Sequence, residues 1–260
     1  MLIDTHAHLW WDCYARNLNQ VIERAKSVGI EKIIVPGTDV KSSIKAIELA
    51  RSYEGLILAA VGIHPEELLN PNYNYKTEEL KKLIENNLNY VVAVGEVGID
   101  LYTEEIKATI DRQKALFRQM CELAKVIKLP MIIHTRESVK EVLEILREYP
   151  NVQAQFHCFG GTEEEAKDIL KQGYYMSFCG NVSWSKRVRR ISNIVPIERL
   201  LSETDSPFMT PVNEWGEKIG EQNEPANVKI SLQIIARERN MTIEEIEKAI
   251  EKNVRRLFNI

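Results

Sequence analysis

The chain alternates short apolar, β-rich runs with amphipathic stretches from one end to the other. Eight runs have the composition of strands: LIDTHAHL, EKIIVPGT, LILAAVGIHP, VVAVGEVGID, LPMIIHTRE, AQFHCF, YYMSFCGN and LLSETDSP. Apolar strands that alternate with helices predict a parallel sheet covered by helices. Eight such units predict a closed α/β barrel, the (β/α)8 TIM barrel, and HAHLWW stands where an open doubly wound sheet would usually carry a GxGxxG turn.

The length of 260 residues suits one such barrel, because barrels of about 250 residues are common. The sequence contains no linker, low-complexity segment or repeat of fixed period. We therefore predict a single domain over residues 1–260. Its last helix is expected near TIEEIEKAIEKNVRRLF.

Cysteine usage and hydropathy predict a cytoplasmic protein without a membrane partner. The four cysteines, Cys13, Cys121, Cys158 and Cys179, form no CxxC pair, and the chain is far larger than scaffolds that depend on disulfides. The first residues show no basic segment or cleavage site of a signal peptide. The longest apolar run, LILAAVGI, is much shorter than the ~18 residues of a membrane span.

The net charge of −4 argues against a protein that coats nucleic acid electrostatically. It does not exclude an enzyme that acts on a phosphate at one discrete site. Much of the charge is Glu, Lys and Arg at helical spacing, which is typical of solvated helix faces.

All five histidines lie at the predicted carboxyl ends of strands. His6 and His8 end the first strand, His64 the third, His134 the fifth and His157 the sixth. Active sites of (β/α)8 barrels are built at this end of the strands. The positions of the histidines therefore predict one functional site at the mouth of the barrel.

Carboxylates are placed in the same way. Glu96 and Asp100 close the fourth predicted strand, and Glu203 and Asp205 close the eighth. The eighth strand of a closed barrel neighbours the first, so Asp205 is expected beside the histidine pair. Glu96 is expected across the mouth, where it could bridge two groups of ligands.

This arrangement predicts a metal centre. Residues i and i+2 of a strand face the same side, so His6 and His8 can close on one ion. A lone strand histidine is more often structural, but four inward-facing imidazoles with several carboxylates need compensation that metal ions supply. Nitrogen and oxygen ligands suit Zn, Mn, Ni or Co, and Mg less well. Cys158 follows His157 directly, should face the other way, and is not counted as a ligand.

Seven segments together resemble the TatD-type metal-dependent hydrolases, a branch of the amidohydrolase-like barrels. They are IDTHAHL, VGIHP, GEVGID, PMIIHTRE, FHCFGG, ETDSPF and NEPANV, in family order over nearly the whole chain. Two positions depart from the family pattern. Trp10 stands where the family commonly has Asp after HAHL, and Gln222 stands where it often has Arg before NEPANV.

The resemblance implies a binuclear centre with two divalent ions, Zn, Mn, Mg, Co or Ni. One ion would be held by His6, His8 and Asp205, the other by His134 and His157. Glu96 would lie between them, in place of the carbamylated lysine that many relatives of the wider superfamily use. We hypothesise that a metal-bridged hydroxide attacks phosphorus while Asp205 accepts its proton as general base.

Other polar residues are expected to support this chemistry. Asp100 and Glu203 would orient metal ligands. Arg136 could hold a non-bridging phosphate oxygen, although a salt bridge at the barrel rim is almost as good an interpretation from sequence alone. His64 would contact the phosphate or the leaving group.

Aromatic residues suggest how a single-stranded nucleic acid could bind. Trp10, Trp11, Trp184 and Trp215 all follow predicted strands one, seven or eight. Bases of single strands stack on aromatic side chains while cations track the backbone, and Arg187 lies close to Trp184. Loop packing beside a charged helix face is an equally good interpretation of that segment.

The leading prediction is a monomeric metal-dependent deoxyribonuclease, and the resemblance suggests that it acts from a 3′ end. An alternative keeps the metals but acts on other esters, for example as a D-aminoacyl-tRNA deacylase or an amidohydrolase-type esterase. A third alternative, a non-catalytic barrel that binds a partner, is disfavoured by the complete ligand set with an acid at position 205.

Overall fold

The computed structural model describes residues 1–74 and 77–260. Eight parallel strands lie in one sheet in chain order, each paired with its neighbours in sequence. The strands are β1 (Leu2–Asp4), β2 (Ile30–Pro36), β3 (Ile57–Val61), β4 (Val91–Asp100), β5 (Met131–Arg136), β6 (Ala154–Phe156), β7 (Tyr175–Phe178) and β8 (Leu200–Ser202).

Helices surround this sheet. They are α1 (Leu18–Ser27), α2 (Val40–Ser52), α3 (Thr77–Glu85), α4 (Glu104–Lys107), α5 (Ile110–Ile127), α6 (Val139–Leu146), α7 (Glu163–Lys171), α8 (Asn181–Trp184), α9 (Lys186–Ile194), α10 (Val228–Glu238) and α11 (Ile243–Phe258). Within the described residues, none of these helices has the length and apolar character needed to cross a membrane.

Hydrogen bonds between β1 and β8, the first and last strands of the sheet, close the barrel. The amide of Thr5 donates to the carbonyl of Ser202 at 3.0 Å, and the hydroxyl of Ser202 donates to the carbonyl of Ile3 at 2.8 Å. Further along, Ala7 and Ser206 form a parallel bridge. The predicted (β/α)8 barrel is confirmed.

Several strands end earlier than the sequence predicts. The pair His6 and His8 lies beyond β1, because the carboxylate of Asp4 accepts the amide proton of His6 at 3.2 Å and turns the backbone out of the ladder. His64 lies three residues beyond β3, where its ring caps a 3₁₀ turn by accepting the amide proton of Glu66 at 3.2 Å.

His157 follows β6 directly, and the two acids predicted to close the eighth strand lie beyond β8. The residues after these strands adopt left-handed backbone conformations, with φ of +44° at Cys158 and +55° at Asp205, and this geometry does not continue a strand. Only His134, Glu96 and Asp100 lie within their strands.

The run KATIDRQKALFRQMCELAKVI, residues 107–127, has the pattern of one continuous helix, but the structure has two helices here, α4 and α5, separated at Ala108 and Thr109. Thr109 precedes α5, and its hydroxyl donates to the carbonyl of Ile106 at 2.8 Å. A short polar side chain that bonds to the local backbone in this way competes with a continuous helix.

Gly98 allows a close approach of β4 to β5. It has φ of +155°, and a Cβ atom at this position would lie 2.0 Å from the carbonyl oxygen of His134. Gly98→Ala is therefore expected to cost about 2 kcal/mol or more in the free energy of unfolding, since the clash is with backbone. Chemical denaturation measures this loss.

Gly160→Ala is the matched control, because a Cβ atom there would meet its nearest neighbour, the carbonyl of Cys158, only at 3.9 Å. An equal loss of stability in the two variants would contradict the proposed clash at Gly98.

Candidate metal centre

A first cluster of donor atoms forms where the loops after β1 and β8 meet β4. The Nε2 atoms of His6 and His8 lie 3.1 Å apart. Oε2 of Glu96 lies 3.3 Å and 3.4 Å from them, and Oδ1 of Asp205 lies 3.7 Å and 3.6 Å from them. All four side chains are buried.

A second cluster forms around the other oxygen of Glu96. Its Oε1 atom lies 2.9 Å from Nε2 of His157, 3.1 Å from Nδ1 of His134 and 3.4 Å from Nε2 of His64. Nε2 of His157 and Nδ1 of His134 are 3.4 Å apart. The two oxygens of one buried carboxylate therefore face two different sets of imidazole nitrogens, which adjoin where the rings of His6 and His157 stack with their centres 4.0 Å apart.

Both clusters suit divalent ions. Ligand atoms around a tetrahedral ion with bonds of about 2.0–2.1 Å lie about 3.3–3.4 Å from each other. Separations of 3.1–3.7 Å in the first cluster are close to this value. Two imidazole nitrogens that face each other in a buried site can share at most one proton, whereas a cation would satisfy both together with the carboxylates.

Electrostatics in the clusters favour an ionised Glu96. Burial alone would raise its pKa, but the imidazoles of His157, His64 and His6 outweigh burial, and the pKa lies well below the usual range. An ionised carboxylate is the form that binds a metal ion.

Asp100 and Glu203 lie behind the histidines of the two clusters. Oδ2 of Asp100 is 3.0 Å from Nε2 of His134, so it can fix the orientation of that ring. Glu203 lies 4.0 Å from Nδ1 of His6 and 3.9 Å from Nδ1 of His157, beyond hydrogen-bond distance of both. It accepts the amide proton of Cys158 and a bond from Gln155 at 3.3 Å.

A family model for TatD-related DNases matches residues 3–259 of the chain. The chain belongs to this family. A metal-dependent hydrolase from Bacillus subtilis, the uncharacterised YabD, is 39% identical, with both chains covered completely. A mouse protein, described as the putative deoxyribonuclease TATDN3, is 28% identical over 99% of this chain and 88% of its own.

The crystal structure of a TatD homologue from Escherichia coli K12, YjjV, superposes on the barrel with a TM-score of 0.91. The two sequences are 28% identical, and the match covers 100% of this chain and 98% of the other. The chain is thus a metal-dependent hydrolase of the TatD family, with histidine and carboxylate clusters that could hold metal ions.

Asp4 is a site residue that sequence reasoning missed in this TatD protein. Besides the amide of His6, it accepts a hydrogen bond from the amide of Thr204 at 3.0 Å and one from its hydroxyl at 2.6 Å. Burial raises the pKa of Asp4 to about 7. Asp4 thus joins the loop that carries His6 and His8 to the loop that carries Asp205. Its position two residues before His6 is the sequence feature that could have identified it as a site residue.

The structure places two predicted substrate contacts next to the centre. His64 was expected to contact the phosphate or leaving group, but it lies in the second cluster, 3.4 Å from Glu96. The guanidinium of Arg136 lies 3.5 Å above the centre of the Tyr102 ring, and no carboxylate of the described residues lies within ion-pair distance of it. The alternative of a rim salt bridge at Arg136 is therefore not observed.

Trp184 and Arg187 lie outside both clusters. Trp184 ends α8 with its side chain 51% exposed. Arg187 lies in the first turn of α9 and donates to the carbonyl of Gly160, in the loop that carries His157, at 2.7 Å. This bond places the α8–α9 segment at the β6 side of the mouth.

Cys158 belongs to neither cluster and forms a separate group of donor atoms with Cys179 and Glu203. Its sulfur is 3.1 Å from that of Cys179, and all four cysteines are free thiols.

Proposed function

We propose that this TatD protein is a deoxyribonuclease that removes nucleotides from the 3′ end of single-stranded DNA with two divalent ions. The observation that carries the proposal is Glu96, whose two oxygens face two separate histidine clusters. We also propose that it acts as a monomer in the cytoplasm and as one domain over residues 1–260.

His6, His8 and Asp205 would hold one ion, and His134 and His157 the other, with Glu96 between them. When bound, a pair of divalent ions lowers the pKa of a shared water and stabilises charge on both reacting oxygens of a phosphodiester. His64 lies close enough to Glu96 to act as a further ligand or to donate to the leaving group.

Asp205 is the proposed general base. Its Oδ1 atom faces the first cluster, and burial of the carboxyl is outweighed by His8, His6 and His157, so that its pKa lies below the usual range. An ionised carboxylate at this position can accept the proton of the attacking water.

Arg136 supports a phosphate substrate. Its guanidinium stacks on Tyr102 and keeps its charge free of carboxylate ion pairs within the described residues. A guanidinium above an aromatic ring still offers N–H groups in its own plane, where they can bind two oxygens of one phosphate.

The proposal is tested by digestion of single-stranded oligonucleotides labelled at either end, with metal content measured on the same protein. Metal-loaded protein is expected to release the 3′ label as mononucleotide and to shorten the 5′-labelled strand stepwise, and the chelated protein to do neither. Hydrolysis of a D-aminoacyl-tRNA ester with both labelled strands intact would instead indicate the deacylase.

Replacing both Trp184 and Arg187 by Ala is expected to raise the KM for oligonucleotides about 10-fold. The reason is loss of one stacking surface and one backbone contact, and base stacking alone contributes about 1–3 kcal/mol. Hydrolysis of bis(p-nitrophenyl) phosphate, which is too small to reach α8, serves as the comparison.

Lys252→Ala is the matched control, since this exposed cation lies on α11 beside Glu251, which binds the amino group of Met1 at the opposite end of β1. An equal loss on the oligonucleotide and on the small diester would contradict the binding role of Trp184 and Arg187.

A further inference from the structure

Three aromatic rings surround the buried imidazole of His8. The rings of Trp10, Trp11 and Phe208 have their centres 5.6, 6.3 and 6.0 Å from that of His8, all in edge-to-face arrangements. Trp10 and Trp11 follow β1, and Phe208 follows β8. The aromatic cluster therefore borders the first set of donor atoms directly.

Trp10 is fixed by a hydrogen bond, whereas Trp11 and Phe208 are partly exposed to solvent. The indole N–H of Trp10 donates to the carbonyl of Pro36 at 2.6 Å, and the Trp10 ring packs 5.0 Å from Trp11. Trp11 in turn meets Phe208 at 5.2 Å with the rings at 79°. Even so, Trp11 is 38% exposed and Phe208 is 43% exposed.

The strand order places this cluster across the mouth from Arg136. Trp11 and Phe208 follow β1 and β8, whereas Arg136 and Tyr102 lie at the ends of β5 and β4, on the far side of an eight-stranded barrel. The donor atoms around Glu96 lie between the two sides. Consider a DNA strand whose scissile phosphate lies at the donor atoms, with Arg136 on one side. The nucleobase that adjoins this phosphate would then lie beside Trp11 and Phe208.

The charges near the cluster favour a base over a phosphate. A cleft of about 380 Å³ adjoins Trp10 and Trp11, and its charged lining residues are Asp12, Glu48 and Lys45. Because two carboxylates and only one ammonium group line this cleft, its surface does not attract a phosphate backbone. Aromatic faces bind nucleobases by stacking, and this contact tolerates every base because each has a π face.

We propose that Trp11 and Phe208 bind the nucleobase next to the scissile phosphodiester, which stacks on the face of one ring and meets the other ring at its edge, with Trp10 as the residue that positions Trp11. This inference rests on the proposed nuclease function. It assigns to the two tryptophans after HAHL a role in selecting strands with an unpaired base beside the bond that is cleaved.

The test compares two single strands that differ only in one base. One oligonucleotide carries thymine at the tested position, and the other carries an abasic tetrahydrofuran residue there. The comparison is made once at the 3′-terminal position and once at the penultimate position. Wild-type protein is expected to cleave the abasic strand with kcat/KM lower by about 5- to 150-fold, the range expected for loss of one base stack.

Trp11→Ala combined with Phe208→Leu is expected to remove this preference. The variant should cleave the thymine strand about as slowly as wild-type protein cleaves the abasic strand. Leu88→Ala is the control, because Leu88 is 55% exposed but precedes β4, at the opposite end of the barrel. It should keep the full preference.

Metal content of both variants is measured, since Trp11 and Phe208 contact the ring of His8. The inference is overturned if the double variant keeps the preference for the thymine strand, or if it loses activity equally on both strands. Failure of wild-type protein to cleave either strand, with bis(p-nitrophenyl) phosphate still hydrolysed, would overturn the proposed nuclease function itself.

Discussion

Replacing Asp205 with Asn is expected to reduce kcat for oligonucleotide cleavage by about 10³-fold or more. Asparagine cannot accept the proton of the attacking water, and general bases contribute about 10²- to 10⁴-fold. The variant also replaces a proposed metal ligand that is charged by a neutral one. The measurement is single-turnover cleavage of a 5′-labelled strand at saturating metal.

Asparagine is the informative substitution here because Asp205 has φ of +55°, a conformation that asparagine adopts readily. The fold should therefore remain, as unfolding and circular dichroism would show. Asp168→Asn is the control, since that carboxylate is exposed on α7. A variant at position 205 that retains more than about a tenth of wild-type kcat would exclude this role for the residue.

Replacing Glu96 with Gln is expected to lower the metal content from about two ions per chain to about one or fewer, and kcat by about 10³-fold. The two oxygens of Glu96 face His6 and His8 on one side and His64, His134 and His157 on the other. In glutamine, one of these oxygens is replaced by an N–H donor and the other is a neutral amide oxygen, so one cluster loses an oxygen ligand and both lose the negative charge of Glu96. Elemental analysis after dialysis measures the loss.

Glu144→Gln, on the exposed face of α6, provides the control for changing a glutamate without touching the site. Full metal content and full activity in the variant at position 96 would show that Glu96 does not link two ions. Loss of metal with a normal unfolding midpoint would separate a defect of the centre from a defect of the fold.

The alternation of strands and helices predicted the barrel correctly, because periodicity records the local environment of each segment. Eight buried runs separated by amphipathic helices leave few other arrangements. The same logic located the site, since histidines and acids at the ends of such runs must meet at one mouth. His6, His8, Glu96, His134 and Asp205 could be grouped in this way before any distance was known.

The exact ends of the strands could not be predicted, because they depend on single contacts. β1 stops where Asp4 takes the amide proton of His6, and β8 stops before the left-handed turn at Asp205. Neither of these contacts is visible in the apolar pattern of the sequence that forms the strand. Sequence alone also gave no reason to expect the pKa of Asp4 at about 7, since burial sets that value.

Contacts between loops were decided by the tertiary structure alone. Trp11 and Phe208 are nearly 200 residues apart in sequence, and their rings meet at 5.2 Å only because β8 closes against β1. His64 joins the second cluster, and Arg136 stacks on Tyr102, through loop conformations that no periodicity encodes. The sequence determined which strands carry the histidines and carboxylates of the candidate site, and closure of the barrel decided which of these side chains come together.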